Sequence, residues 1–326
     1  MDSITIQSQS KPCVFVIGNG FDIDLGWKTS YKDFFNSPIG KQCLKSKTAL
    51  SRYIKMHKGD GDWCDLEMYL MKYVNRESGS DAIYNKGIPL NADEDMKFFQ
   101  ELNYALCDYM ESAQREKINE DSVAYHVLQI ILETRCFNDN VFDFNYTDLR
   151  NVSGSLTFTC QPPHYIHGCV KEGNTIIGVP ADIEVIPGYE QMRKMFNRNY
   201  HQTPIASALM EAKEVVIFGH SLSKIDYPYF SAFFKKLRSD EYLQKRNEIP
   251  HVTIFTYDMS SKLKILENLN KISNYQISKL FNYNYFDIIC TKAGDFDSDQ
   301  FGKFQLHLSE YSGVNIPLHI VNKLRY

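Results

Sequence analysis

The chain has 326 residues, 43% of them hydrophobic and 23% charged, which excludes disordered and fibrous classes and leaves room for one large α/β domain or two average ones. A net charge of -4 with no long Lys/Arg run argues against a dedicated nucleic-acid surface. No apolar run approaches the roughly 20 residues that cross a bilayer, and Met1 to Pro12 is polar, without the apolar stretch of a signal peptide. A cytoplasmic protein is expected. Eight cysteines at 13, 43, 64, 107, 136, 160, 169 and 290 form no C-x-x-C pair and read as reduced thiols.

The first element is the apolar run Cys13 to Ile17, read as a strand buried on both faces, which breaks at Gly18-Asn19-Gly20 before Phe21-Asp22. A strand that turns through glycines into a helix can present backbone N–H groups to a phosphate. The same turn also serves as a plain strand-to-helix junction, and the third glycine of the dinucleotide fingerprint is absent. Thr29 or Ser30 is a cap for a helix that begins at Tyr31, Phe34 and Phe35. From about 40 to 136, apolar residues recur at helical spacing: Leu66, Tyr69, Leu70 and Tyr73, then Phe98, Leu102 and Tyr109, then Val123, Val127 and Ile131. This block is read as a helical insertion packed as a cap against the sheet, with an exposed loop at Arg76 to Asp95.

Strands are then expected at Val141 to Asn145, Tyr165 to His167, Thr175 to Val179, Glu214 to Gly219, His251 to Tyr257 and Phe286 to Cys290. Helices are expected near 203 to 212, 226 to 246 and 260 to 280. The alternation predicts one three-layer α/β domain spanning 1–326, with a mostly parallel, Rossmann-like sheet.

In such a sheet, ligands gather outside the carboxyl ends of the strands. Asn145 offers a carboxamide that can hold a ribose hydroxyl or orient a water, or can satisfy turn backbone instead. His167, followed by Gly168, has the chemistry of a general base near neutral pH, with His164, His201 and His220 as alternatives. Gly219-His220-Ser221 resembles a nucleophile elbow but has Ser223 where the second glycine should stand, so a ribose- or phosphate-facing turn is preferred. Trp63-Cys64-Asp65-Leu66-Glu67 opens a helix whose carboxylates either favour the helix dipole or face the cleft. Histidines and cysteines show no zinc-ligand spacing, and no metal site is expected.

The ordered series Ile17 to Asp22, Lys28 to Phe34, Trp63 to Glu67, Phe144 to Thr147, Ile166 to Gly168 and Phe218 to Leu222 resembles the AbiH family of bacteriophage abortive infection, over residues 13 to about 230. The same landmarks are remotely similar to the sirtuin/DHS-like NAD-binding fold. That similarity implies NAD as ligand or substrate, with Gly18, Asn19 and Gly20 by the pyrophosphate and Asn145 by the nicotinamide ribose. It implies His167 as general base, and Gly219 and Ser221 by the adenosine ribose. Phe21, Asp22, Thr147, Gly168 and His220 complete the ligand-binding set. The sirtuin zinc module is missing, and Thr147 stands where an acid is usual. Deacylation is therefore disfavoured against NAD glycohydrolase activity. The alternative is a non-catalytic nucleotide sensor in a defence system. A nucleotide ligand and a homo-oligomer are the partners allowed for.

Overall fold

The computed structural model describes residues 12–57, 66–75, 90–137, 139–153, 162–239 and 249–316. The sequence readings at Met1 to Lys11, Trp63 to Asp65 and Arg76 to Pro89 lie outside the described residues.

Six strands form one all-parallel sheet: β1 (Cys13–Ile17), β2 (Val141–Asp143), β3 (His164–Tyr165), β4 (Glu214–Phe218), β5 (His251–Thr256) and β6 (Tyr285–Cys290). Their order is β3-β2-β1-β4-β5-β6, so the direction of strand addition reverses between β1 and β4. Both central strands are buried along their whole length, which is why Cys13–Ile17 and 215–218 read as unbroken apolar runs rather than alternating ones.

The two faces of the sheet carry separate cores. Cys13, Phe15 and Ile17 point to one face with Val216, Phe218 and Phe255, where α7 (Val123–Thr134) and α12 (Ser298–Ser312) cover them. Val14, Val16, Val215, Ile217 and Ile254 point to the other, under α8 (Ile205–Glu211), α9 (Tyr227–Leu237), α10 (Met259–Ile272) and α11 (Ile277–Tyr283). Helices on both faces of one sheet make three layers.

A third core belongs to the cap. After α1 (Asn19–Asp24) come α2 (Tyr31–Asn36), α3 (Pro38–Cys43), α4 (Ala49–His57), α5 (Leu66–Val74) and α6 (Ala92–Ala113). Phe34, Phe35, Tyr53, Leu70, Phe98 and Leu102 pack together there. At its centre the fully buried Asp95 accepts from the Leu50 N–H at 2.9 Å and from the Tyr73 and Tyr189 hydroxyls at 2.5 and 2.6 Å. A buried carboxylate with three donors is satisfied and fixes how the helices meet.

The boundaries of the cap differ from 40 to 136. Its core takes in α2, which precedes residue 40, and residues 177–192, which follow the second strand. Helix α7, read as the last helix of the insertion, instead lies on the sheet with nearly every side chain buried. The segment Thr175 to Val179 is not a strand of the sheet and has one isolated bridge, Val179 to Arg193. Ile177 and Val179 are apolar because they fill the cap core. The helix expected over 260 to 280 is two helices, interrupted where Asn274 and Tyr275 take left-handed backbone angles of +52° and +60°.

Candidate functional site

The carboxyl ends of the strands open into a cavity of about 500 Å³ at the point where strand order reverses. The sheet supplies its floor and the cap its wall, through Tyr31 of α2, Glu67 of α5 and Met110 of α6. Residues separated by two hundred positions meet there because parallel strands deliver all their carboxyl ends to one edge.

Gly18, Asn19 and Gly20 line this cavity, as do Asp22, Asn145 and Thr147. His167, Gly219, His220 and Ser221 line it too. Phe21 and Gly168, also assigned to ligand, do not. Phe21 is fully buried in the sheet core, edge-on to Phe218 at 5.3 Å between ring centroids. Gly168 takes a φ of +72°, and a Cβ there would stand 2.1 Å from the Asn174 carbonyl oxygen. Its lack of a side chain serves a loop contact.

The glycines of the first turn are also explained differently. The Gly20 N–H donates to the Gly219 carbonyl at 2.9 Å and the Phe21 N–H to the Gly18 carbonyl at 2.9 Å, so these two donors are used within the protein. A Cβ on Gly18 would lie 2.6 Å from the His220 Cα, and one on Gly219, whose φ is +65°, 2.3 Å from the Phe21 nitrogen. The glycines let the β1 and β4 loops touch backbone to backbone.

Two buried polar networks lie in the cavity. In the first, Asp22 is 2% exposed and accepts from Asn145 Nδ2 at 2.9 Å and Thr147 Oγ1 at 2.7 Å. Burial pushes its carboxyl up to about 7, against the pull of the Thr147, Thr29 and Asn145 donors. Asn145 Nδ2 also reaches the Gly18 carbonyl at 3.2 Å, and its backbone N–H donates to the Asp143 carboxylate at 2.8 Å. Asp143 is itself raised well above the carboxylate range by burial and by Asp22.

In the second, Lys194 Nζ donates to Glu67 Oε2 at 2.8 Å and to His167 Nε2 at 2.9 Å. An ammonium has no acceptor, so Nε2 accepts and Nδ1 carries the His167 proton, donating to the Phe144 carbonyl. Burial and the Lys194 charge depress His167 to about 3. The strand-end position of His167 suggests a base near neutral pH; in this arrangement burial and Lys194 instead push its pKa down. Both nitrogens are occupied and the ring stays neutral.

Beside it, the Leu222 N–H donates to His220 Nδ1 at 3.0 Å, which leaves the His220 proton on Nε2, 3.4 Å from Asp226 Oδ2. Burial alone would raise Asp226, but the hydrogen bond and electrostatic pull of His220, with the Lys194 charge behind it, outweigh it and hold the carboxyl down at about 2. Asp226 Oδ1 is buried with no hydrogen-bond partner among the described residues. It borders the cavity, as Glu67 does, while the exposed Lys32 and Lys264 stand among the lining residues with cationic ends.

Lys194, Asp226, Tyr146 and Lys264 were not legible as site residues. Lys194 sits in an irregular stretch with no local motif. Asp226 had a usable signal, since it closes the turn that begins at Gly219.

The fold and site define an α/β protein with a parallel sheet and a capped cavity, carrying two buried polar networks, at its strand switch point. The sequence model of the family described as "Bacteriophage abortive infection AbiH" matches residues 14–244, and the chain belongs to that family. No curated protein and no solved structure matches the chain. Among the described residues no helix is long and apolar enough to cross a membrane.

Proposed function

We propose that this AbiH-family protein acts in phage defence by binding NAD or a related nucleotide in the strand-end cavity and hydrolysing the nicotinamide–ribose bond. The observation that carries this reading is the meeting of Asp22, Asn145, His167 and Ser221 around one cavity of about 500 Å³ at the switch point. The strand order is that of dinucleotide-binding sheets, which bind in this crevice, and the volume lies within the roughly 300–1,000 Å³ of small-molecule sites. The sirtuin-like resemblance belongs to this reading. Lys32 and Lys264 would meet the phosphates.

Hydrolysis breaks the bond between ribose C1′ and the pyridinium nitrogen. The electron pair goes to that nitrogen, giving neutral nicotinamide, so no acid is needed for the leaving group. The water oxygen bonds to C1′ and loses a proton. In this reading Asp22 takes the proton, since a carboxyl at about 7 is tuned for a base at neutral pH, and the Asn145 Oδ1 accepts from a ribose hydroxyl. His167 positions Lys194 and does not move a proton.

The test is nicotinamide release from NAD by pure protein, with calorimetry of NAD binding on the same sample. Release that is lost in Asp22→Asn while binding persists is the expected outcome. The internal saturation of His167 favours a second reading, a sensor that binds the nucleotide without turnover. Binding without release, weakened in Ser221→Ala or Lys264→Glu, would establish it. Absence of both binding and release overturns both.

A further inference from the structure

At the opposite edge of the sheet, three side chains from distant parts of the chain converge. Register aligns Glu214, the first residue of β4, with His251, the first residue of β5, so both side chains leave the sheet on the same face. Helix α12 crosses that face on Phe301, Phe304 and Leu308, and the turn that seats Phe304 against Phe255 brings His307 over Glu214. His307 Nε2 lies 2.6 Å from Glu214 Oε2, and His251 Nδ1 lies 3.2 Å from Glu214 Oε1. One ligand atom from each residue falls within 4.8 Å of the others.

We propose that Glu214, His251 and His307 bind a divalent transition ion of the zinc class at the amino edge of the sheet. Two imidazoles and a carboxylate suit zinc-class ions rather than magnesium or calcium, which require oxygen ligands. Around a zinc ion with bonds of about 2.0–2.1 Å, tetrahedral ligand atoms stand about 3.3 Å apart. One atom from each residue already lies within 4.8 Å of the others, so small side-chain rotations bring them to that spacing. Without an ion, both histidines must turn a proton toward one carboxylate while their ring centroids are 4.2 Å apart. A dication would take the place of both protons and draw the three side chains around itself.

A fourth residue has the role of an outer-shell partner. Asp287 Oδ2 lies 3.3 Å from His251 Nε2, the nitrogen that faces away from Glu214. A carboxylate on the far nitrogen is what orients metal-bound histidines and raises their basicity. Glu214 has a fully buried side chain, whereas those of His251 and His307 are 17% and 36% exposed, so the ion has a path from solvent and room for a bound water. His251 and His307 lie beyond the family match at 14–244, and the ion would fasten that later part of the chain to β4. The site is independent of the strand-end cavity.

The experiment takes the full chain, dialysed against chelator, and titrates it with cobalt(II) and zinc(II) chloride. One ion per chain is expected, with visible cobalt absorption of nitrogen and oxygen ligands, no intense thiolate band, and a Tm that rises on zinc addition. His307→Ala is expected to weaken binding about 100-fold or more, and Asp287→Asn 10- to 100-fold, with far-UV circular dichroism unchanged. If His251→Ala fails to fold, His307→Ala, on a partly exposed helix position, decides alone. Failure to saturate at one ion with either metal, a thiolate spectrum, or saturation undiminished in His307→Ala would overturn the proposal.

Discussion

The contact between Lys194 and Glu67 joins the cap to the sheet edge inside the cavity, and Lys194→Met is the sharpest test of the buried network. Lys194 and Glu67 side chains are 5% and 8% exposed and lie 2.8 Å apart. Removing the cation takes away the ammonium that lies 2.8 Å from the buried Glu67 carboxylate and costs about 3–5 kcal/mol, most of it the penalty of burying that charge without its counterion. Glu67→Gln strands the ammonium and costs a similar amount. The double variant has no buried charge to strand, so its loss should be within about 2 kcal/mol of wild type. Urea unfolding of the four proteins gives the cycle. Lys194→Met also removes the largest charge that, after burial, holds His167 at about 3, so its titration, followed by NMR, should move upward. Strictly additive losses in the cycle would refute the argument that the two charges exist for each other.

Three further outcomes follow from the same geometry. Asp22 titrates at about 7 when folded against 3.8 as a reference, so its contribution is full at low pH and is lost as pH rises toward 7; His167, at about 3 against 6.5, contributes fully above 6.5 and loses this as pH falls toward 3. The two oppose each other in wild type, and Asp22→Asn should therefore gain roughly 2–3 kcal/mol between pH 4.5 and 6.5 by isothermal denaturation, an equal slope in both proteins counting against it. Gly219→Ala, with its φ of +65° and a Cβ 2.3 Å from the Phe21 nitrogen, should cost at least about 2 kcal/mol, whereas Gly294→Ala, with nothing within 4 Å, should stay within about 0.5 kcal/mol in calorimetric melting. On the proposed nucleotide reading, Lys264→Glu, on the exposed rim of the cavity, should weaken NAD binding about tenfold or more without lowering Tm, and unchanged affinity would remove the phosphate from that rim.

The sheet was readable because its central strands are apolar on both faces, a pattern that β1 shows throughout and β4 shows after its first residue, Glu214. Apolar content misled at Thr175 to Val179, where burial against the cap produces the pattern of a strand without the ladder. Strand ends pointed to Asn145 and Ser221 because parallel topology turns position in a strand into position in space. Burial escapes that logic. Nothing local tells that His167 is sealed by Lys194, 27 residues on in an irregular stretch, or that Asp22 meets Asn145 and Thr147 more than a hundred residues away. The cluster of Glu214, His251 and His307 has no sequence spacing to recognise and emerges only when β4 and β5 are set in register.

The pairing of β1 with β4 also has a temporal side. Its partners are about 200 residues apart, and a ribosome adding about 5–20 residues per second leaves β1 without its central neighbour for roughly 10–40 s. During that interval the cap helices, whose contacts are closer in sequence, can assemble on their own core. The cavity cannot, because Ser221, Asp226 and Lys264 belong to its wall and are made later still. A chain cut short before about residue 264 would therefore carry the cap core without a complete cavity wall.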